Sequence, residues 1–261
     1  MKQPSLSSLR AHRSPSPGLV KPIRLTDQIS EVIKNKIFAG ELEPGDRVVE
    51  QKIARDLGVG QNAVREALIE LSHLGFVRRV PNIGTFVTKL SRTDAEKISQ
   101  IRTSLEGLVV DLLAQRLQFD DLDLSDAEDL LQKMRKAITK RDIVSFYEFD
   151  LKFHRLLWSL TDNEYLSQML EQIVTPLFAF FIMLNIRPLD RVDYFEEAVD
   201  HHDNVLQALK SRSPQNAHNA LCGLMEISLR QQQDIISEKR TEKPHGEDAV
   251  RKQRTVAQST D

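Results

Sequence analysis

The chain has one cysteine, Cys222, among 261 residues. That excludes an intramolecular disulfide framework and any zinc knuckle built on cysteines, and it leaves redox chemistry little to work with. Cys222 sits on an apolar helical stretch, where a lone thiol is expected in the core. Long apolar runs are scarce too. The nearest, 173–186, is interrupted by Thr175, Pro176 and Asn185, so it falls short of the roughly 18–20 residues a membrane span needs. The first 18 residues are rich in Ser, Pro and Arg and lack the apolar core of a signal peptide. No internal repeat is visible. The expectation is a soluble cytosolic protein with no membrane partner.

What is present is enough for two ordinary domains. Hydrophobic residues make up 40% of the chain, sufficient for packed cores at this length. The net charge of −2 conceals an asymmetry. Residues 1–90 carry 14 Lys and Arg against 9 Asp and Glu, and the remainder carries 22 against 29. A basic N-terminal module on an acidic body suggests that the first part meets a polyanion.

Residues 1–22 hold four of the ten prolines and show no apolar periodicity, so they read as a flexible arm. From Leu25 the pattern turns helical, with Thr26 as a possible N-cap and Leu25, Ile29, Ile33 and Ile37 on one face. Pro44-Gly45 makes a turn, and a short extended piece spans 47–49. Helices over 50–57 and 61–74 follow, stopped by Gly58 and Gly75. Two β-branched and aromatic runs, 76–80 and 85–88, then flank a four-residue loop at 81–84 and form a hairpin. Beyond Ser91 the periodicity predicts only helices, over 92–118, 124–140, 142–161, 164–185, 193–211 and 214–238. A charged, disordered tail is expected after 238.

Within 50–75, Ala54 precedes Gly58 by four residues and Val64 follows Gly58 by six. A small Ala54 lets two crossing helices approach, Gly58 can adopt the positive φ of a tight turn, and Val64 anchors the second helix. An ordinary helical hairpin shares this spacing. The neighbours favour DNA binding: a preceding helix, Arg65 on the second helix, and Arg78 and Arg79 on the hairpin complete a winged helix-turn-helix.

These residues resemble the GntR family of bacterial transcription regulators. The resemblance runs from Gly40 through Pro44-Gly45 and Arg47-Val48-Val49-Glu50 to Ile53-Ala54 and Leu57-Gly58-Val59. It continues through Val64-Arg65-Glu66-Ala67-Leu68, Leu71 and Gly75-Phe76-Val77 to Pro81, Gly84 and Val87. It implies a homodimer whose recognition helices enter adjacent major grooves of a palindromic double-stranded operator while the wing tips near Gly84 reach the minor groove. The implied DNA contacts fall on Gln51, Gln61, Asn62, Arg65 and Gly84. The chain departs from the family where Ser-Arg-Thr-Pro is usual and Gly60-Gln61-Asn62-Ala63 stands instead. Gln61 lacks the guanidinium best suited to guanine, whereas Gln and Asn pair bidentately with adenine.

In the helical body, Asp150 and His154 stand at i, i+4 on one helix face, and His202 lies on a later helix able to face them. A carboxylate and two imidazoles suit zinc, nickel or manganese, and equally a satisfied buried His-Asp pair. The region 92–235 resembles the FadR-like, or FCD, branch of the family. The marks are Arg102-x-x-Leu105-Glu106, Asp150-x3-His154, Asn163, and His202-x-x-Val205-Leu206-x-Ala208-Leu209. That branch implies an Asp and three His around a divalent metal, beside a pocket for a small carboxylic acid. The third His is expected 22 residues after His202, where this chain has Leu224. His218 lies on another helix face and cannot simply replace it. Three protein ligands then hold metal more weakly, with water or an effector carboxylate completing the shell. Arg102 either pairs with Glu106 or clamps the effector carboxylate. His201 is expected in solvent, and 177–184 as core, dimer seam or pocket wall.

The expected fold class is mainly α, with an arm over 1–22 and a winged helix-turn-helix with a small β-hairpin wing over 23–90. An all-α effector-binding and dimerisation bundle of six or seven helices over 91–238 and a tail over 239–261 complete it. The expected function is ligand-responsive transcription regulation, as a repressor rather than an enzyme. Two rivals are a metal-dependent helical enzyme using Asp150, His154 and His202, and a DNA-binding protein with no effector. No nucleophile or paired acid and base supports the enzyme.

Overall fold

The structure, a computed structural model, describes residues 24–119, 122–185 and 192–241. The expected arm and all of the expected tail beyond 241 lie outside the described residues. Nine α-helices and three strands occur among the described residues. In chain order they are α1 (Leu25–Phe38), β1 (Arg47–Val48), α2 (Glu50–Leu57), α3 (Gln61–His73), β2 (Val77–Val80) and β3 (Gly84–Val87). The helices α4 (Arg92–Phe119), α5 (Ser125–Thr139), α6 (Ile143–Leu160), α7 (Glu164–Asn185), α8 (Val192–Lys210) and α9 (Pro214–Thr241) follow.

The first unit packs α1, α2 and α3 around Ile29, Ile33, Ile37, Val64, Leu68 and Leu71, all buried. Gly58 closes the turn between α2 and α3 with φ 65°, the left-handed conformation that glycine adopts without a Cβ penalty. The strands form an antiparallel sheet in the order β1-β3-β2, with Val80 opposite Gly84. That pairing corrects the expected four-residue loop to three residues, Pro81 to Ile83. Asn82 has φ 61° and the Ile83 N–H donates to the Val80 carbonyl, so Pro81-Asn82 fills the two central places of a tight turn that needs a positive φ at the second. The N-cap of α1 is Arg24 rather than Thr26. Asp27 accepts the Arg24 N–H at 3.3 Å, which starts the helix earlier than a Thr26 cap would.

The second unit is a closed ring of six helices in the packing order α5, α6, α7, α4, α9, α8 and back to α5. Helix starts carry ordinary caps. Ser91 and Asp94 bond reciprocally at α4, Asp142 accepts the Ser145 N–H at α6, and Asn163 accepts the Leu166 N–H at α7. Helix α9 opens with Pro214, a residue preorganised for the first turn. It runs to Thr241, past the expected end at 238, because 238–241 contain good helix formers and no breaker. Cys222, expected in the core, is half-buried.

The two units share one helix. By composition α7 is long and apolar enough to cross a membrane, yet its side chains are divided between two protein interiors. Ala179 and Ile182 join the core of the first unit, while Val174 and Phe178 belong to that of the ring. At Gly75, which ends α3 with φ 77°, an added Cβ would lie 2.7 Å from Pro176 Cα and from the Thr175 carbonyl oxygen. Only glycine allows that approach.

Candidate functional site

Two surfaces collect the candidate residues. On the first unit, Glu50 and Gln51 begin α2, and Gln61, Asn62 and Arg65 occupy the first turns of α3. Gln51, Asn62 and Arg65 are exposed, and Gln61 is half-buried. Glu50 was not singled out from sequence, although it organises this surface. Its Oε2 accepts from Gln61 Nε2 at 3.0 Å and from Arg65 Nη2 and Nε at 3.0 and 3.2 Å. Burial opposes ionisation of Glu50, but the Arg65 and Gln61 donors outweigh it, with Arg79 of the wing adding to them, and keep its pKa below the ordinary carboxylate value. Gly84 lies beside the Arg47 guanidinium, which donates to the Ile83 carbonyl at 2.8 Å. Both stand in the Arg47-Val48-Val49-Glu50 run that carries the family resemblance, but no spacing shows their contacts, since each acts across a turn or a strand pair.

The second site lies inside the helical ring. Helix α6 presents Asp150 and His154 one turn apart, and α8 brings His202 to face them. Asp150 Oδ1 is 2.9 Å from His202 Nε2 and 3.4 Å from His154 Nε2, and the two imidazole nitrogens are 3.3 Å apart. All three residues are buried. Helix α4 adds Arg102 and Glu106, also buried and paired at 3.1 Å. Arg102 Nη2 stands 2.7 Å from His154 Nε2, and the guanidinium lies over the Phe178 ring at 5.3 Å.

Protonation follows from the partners. His202 Nδ1 is 2.6 Å from the Ala198 carbonyl, so it donates there, and Nε2 faces Asp150 Oδ1 at 2.9 Å. His154 Nδ1 faces the Glu106 carboxylate at 3.1 and 3.2 Å, so it donates there and leaves its Nε2 lone pair toward the cavity. Burial lowers the His154 pKa, with Arg102 assisting and Glu106 opposing, which keeps the ring neutral. Burial also works against ionisation of Glu106 and Asp150, but the surrounding groups outweigh it. His154 and Arg102 hold Glu106 at about 2, and His202, His154 and Arg102 hold Asp150 below the usual carboxylate range.

Three atoms able to ligate a metal point at one another. Asp150 Oδ1 has no hydrogen-bond partner despite its burial, a costly state for a carboxylate oxygen. Donors about 2.0–2.2 Å from a common first-row ion lie roughly 2.8–3.6 Å apart between right-angled and tetrahedral geometry, a range that includes the separations found here. The donor set fits a divalent metal held by three protein ligands. Leu224, buried on α9, lines the same cavity. His218 stays outside, half-exposed and 3.5 Å from Asp111. His201, expected in solvent, is half-buried against Gly223.

The cavity measures about 50 Å³ and runs from this polar end between Phe146, Leu177, Phe178, Phe181, Phe195 and Ile227. Ser228, Gln231 and Gln232 form a second polar wall. Sequence reasoning missed these three, although they stand 4, 7 and 8 residues after Leu224, the spacing of a single helix face.

Comparison with known proteins agrees with both halves of the chain. The family described as "Bacterial regulatory proteins, gntR family" matches residues 25–87, and the FCD domain matches residues 97–226. The chain belongs to the GntR family. It is a transcription regulator with an FCD effector domain, and its relatives are named as DNA-binding regulators rather than enzymes. The HTH-type transcriptional regulator McbR of Escherichia coli (strain K12) is 25% identical over 217 residues, 82% of this chain and 96% of its own length. The regulator YdhC of Bacillus subtilis (strain 168) is 29% identical over 200 residues, 76% of this chain and 87% of its own. The gluconate operon transcriptional repressor of the same organism is 26% identical over 214 residues, 81% and 83% of the two chains. Among solved structures, E. coli McbR/YncC shares the fold with a TM-score of 0.59 at 24% identity, covering 81% of this chain and 99% of that one. A GntR-type regulator from Rhodococcus sp. RHA1 has a TM-score of 0.60 at 22% identity, covering 79% and 96%.

Proposed function

We propose that this regulator is a cytoplasmic homodimeric repressor that binds a palindromic operator and responds to a small carboxylic acid in the FCD cavity. A divalent metal held by Asp150, His154 and His202 forms part of that site. The observation that carries the reading is the meeting of these three side chains with Arg102 at one end of an apolar cavity walled by α7. The other face of α7 packs on the DNA-binding unit, so a ligand in the cavity and DNA at α3 bear on one shared element.

Charge supports the chemistry of the ligand. Metal-ligating imidazoles are neutral, so beside them Arg102, Glu106 and Asp150 leave one buried negative charge in excess. A divalent ion turns that into one positive charge in excess, which a single carboxylate neutralises. The metal would supply Lewis-acid anchoring for an anion, and Arg102 a bidentate donor pair. One relative is named for the gluconate operon, and gluconate is a small carboxylic acid. The cavity volume of about 50 Å³ has room for an ion and a few water-sized groups, so a larger acid must displace side chains such as Phe178 or Ile227.

On the DNA side, the reading assigns base contacts to Gln61, Asn62 and Arg65, and positioning contacts to Gln51 and the wing at Gly84. Division of the chain into a DNA-binding domain over 23–90 and an effector domain over 91–238 goes with it. A homodimer is supported by an exposed apolar stripe on α4, where Ile101 and Leu108 are 49% and 44% exposed. Tyr165 and Met169 on the adjoining α7, 73% and 52% exposed, supply a second strip. The test is a thermal-shift screen of metal-loaded protein against small carboxylic acids. Active acids are then assayed by fluorescence anisotropy on a duplex selected from a randomised library. An acid that shifts the melting temperature and releases DNA supports the proposal, and failure of every acid to do either refutes the effector assignment.

A further inference from the structure

One lone pair has two claimants. His154 uses its Nδ1 hydrogen on Glu106, at 3.1 and 3.2 Å from the two carboxylate oxygens, so its only remaining lone pair is on Nε2. A guanidinium nitrogen is a donor and never an acceptor. Arg102 Nη2, 2.7 Å from that Nε2, therefore donates into it. The same Nε2 is the atom His154 contributes to the donor triangle with Asp150 and His202. An sp² ring nitrogen has one lone pair in the ring plane, so an N–H donor and a metal ion exclude each other there.

We propose that Arg102 is a built-in cation that competes with the divalent metal for His154 Nε2, so that metal loading turns the guanidinium off the histidine and into the cavity. The inference rests on the metal reading given under Proposed function and adds its regulation. The arginine is well placed to do this. Its Nε is bonded to Glu106 at 3.1 Å and its Cζ lies 5.3 Å from the Phe178 ring centroid, so these contacts keep the guanidinium at the cavity while a pivot about Nε moves Nη2 off Nε2. Without metal, Arg102 is the one Arg or Lys among the described residues that line the cavity, and it offsets part of the buried Asp150 charge. With metal, the guanidinium loses its acceptor and needs another, and an anionic ligand in the cavity supplies one. Metal binding and anion binding are then coupled through one side chain, with metal first.

Loss of a nearby positive charge by itself favours a cation, so the charge-balanced double variant decides between this and the alternatives. If Arg102 only supports the fold or only touches the effector, removing Arg102 and the Glu106 charge together leaves metal affinity unchanged or weaker. Under competition, removal tightens it. Metal-stripped, tag-free protein is titrated with zinc and manganese by calorimetry, using wild type, Arg102→Met, the double variant Arg102→Met with Glu106→Gln, and His202→Ala. Arg102→Met should bind metal about tenfold more tightly or better, a change of the size that groups around a metal shell produce. The double variant should do the same without leaving Glu106 charged and unpaired. Unchanged or weaker affinity in whichever of the two variants folds overturns the proposal. A measurement on wild type alone guards against misfolding of both. Zinc at one equivalent should shift the Arg102 side-chain NMR resonances away from their metal-free positions, and resonances unmoved with zinc bound contradict the competition. If His202→Ala abolishes binding while Arg102 variants gain nothing, only the competition fails. If no variant and no wild-type sample takes up metal, the metal reading fails with it.

Discussion

Gln61 and Arg65 reach the surface under a shared constraint, since both donate to one oxygen of Glu50. Arg65→Ala should weaken operator binding by about 1–3 kcal/mol, measured by anisotropy at fixed salt. Glu50→Gln tests the constraint itself. The depressed pKa of Glu50 means its carboxylate contribution is present at neutral pH and lost as pH falls through that lowered value, and the amide variant mimics the protonated form. Base preference at the positions assigned to Gln61 and Arg65 in the proposed reading should broaden across a randomised operator library. An unchanged preference would remove Glu50 from the reading apparatus. In the effector site the informative residue is Leu224, buried against the cavity where a fourth ligand is missing. Leu224→His should tighten zinc or nickel binding by about tenfold or more by calorimetry, because an imidazole replaces a water in the inner shell. No gain would mean that this face of the cavity is an apolar effector wall.

Helix α7 joins the two units. Gly75 and Pro176 meet backbone to backbone at the seam between the two units. Gly75→Ala forces a Cβ into that contact and strains a φ of 77°, so it should destabilise the protein by about 1–3 kcal/mol or more in a denaturant melt. If the seam transmits the ligand signal, the variant should also lose the ligand dependence of its DNA binding. The helices themselves were legible in the sequence, because apolar periodicity and breakers such as Gly58 and Gly75 mark them locally, although the one cap expected for α1, Thr26, gave way to Arg24. What stayed illegible depends on partners far along the chain. The wing loop is shorter than its residues suggest because Gly84 already pairs with Val80. Asp150, His154 and His202 were visible as a helical spacing and a resemblance. The donation of Arg102 to His154 was not, since it joins residues 52 positions apart and depends on which way each side chain turns.

The proposed dimer rests on the exposed apolar residues of α4 and α7. Leu108→Glu places a charge in the apolar stripe and should convert a dimer to monomers at micromolar concentration, read by analytical ultracentrifugation. Duplication of a short recognition helix is what gives a palindromic site its specificity, so the monomer should lose operator binding with its fold intact. A Leu108→Glu protein that remains dimeric would move the interface elsewhere. The most direct test of the account as a whole is the operator-binding isotherm of the metal-loaded protein with and without an acid found by thermal shift. Coupling of the cavity to α3 through α7 predicts a change in Kd of about fivefold or more, abolished in His202→Ala. Superimposable isotherms, with the acid demonstrably bound, would contradict it.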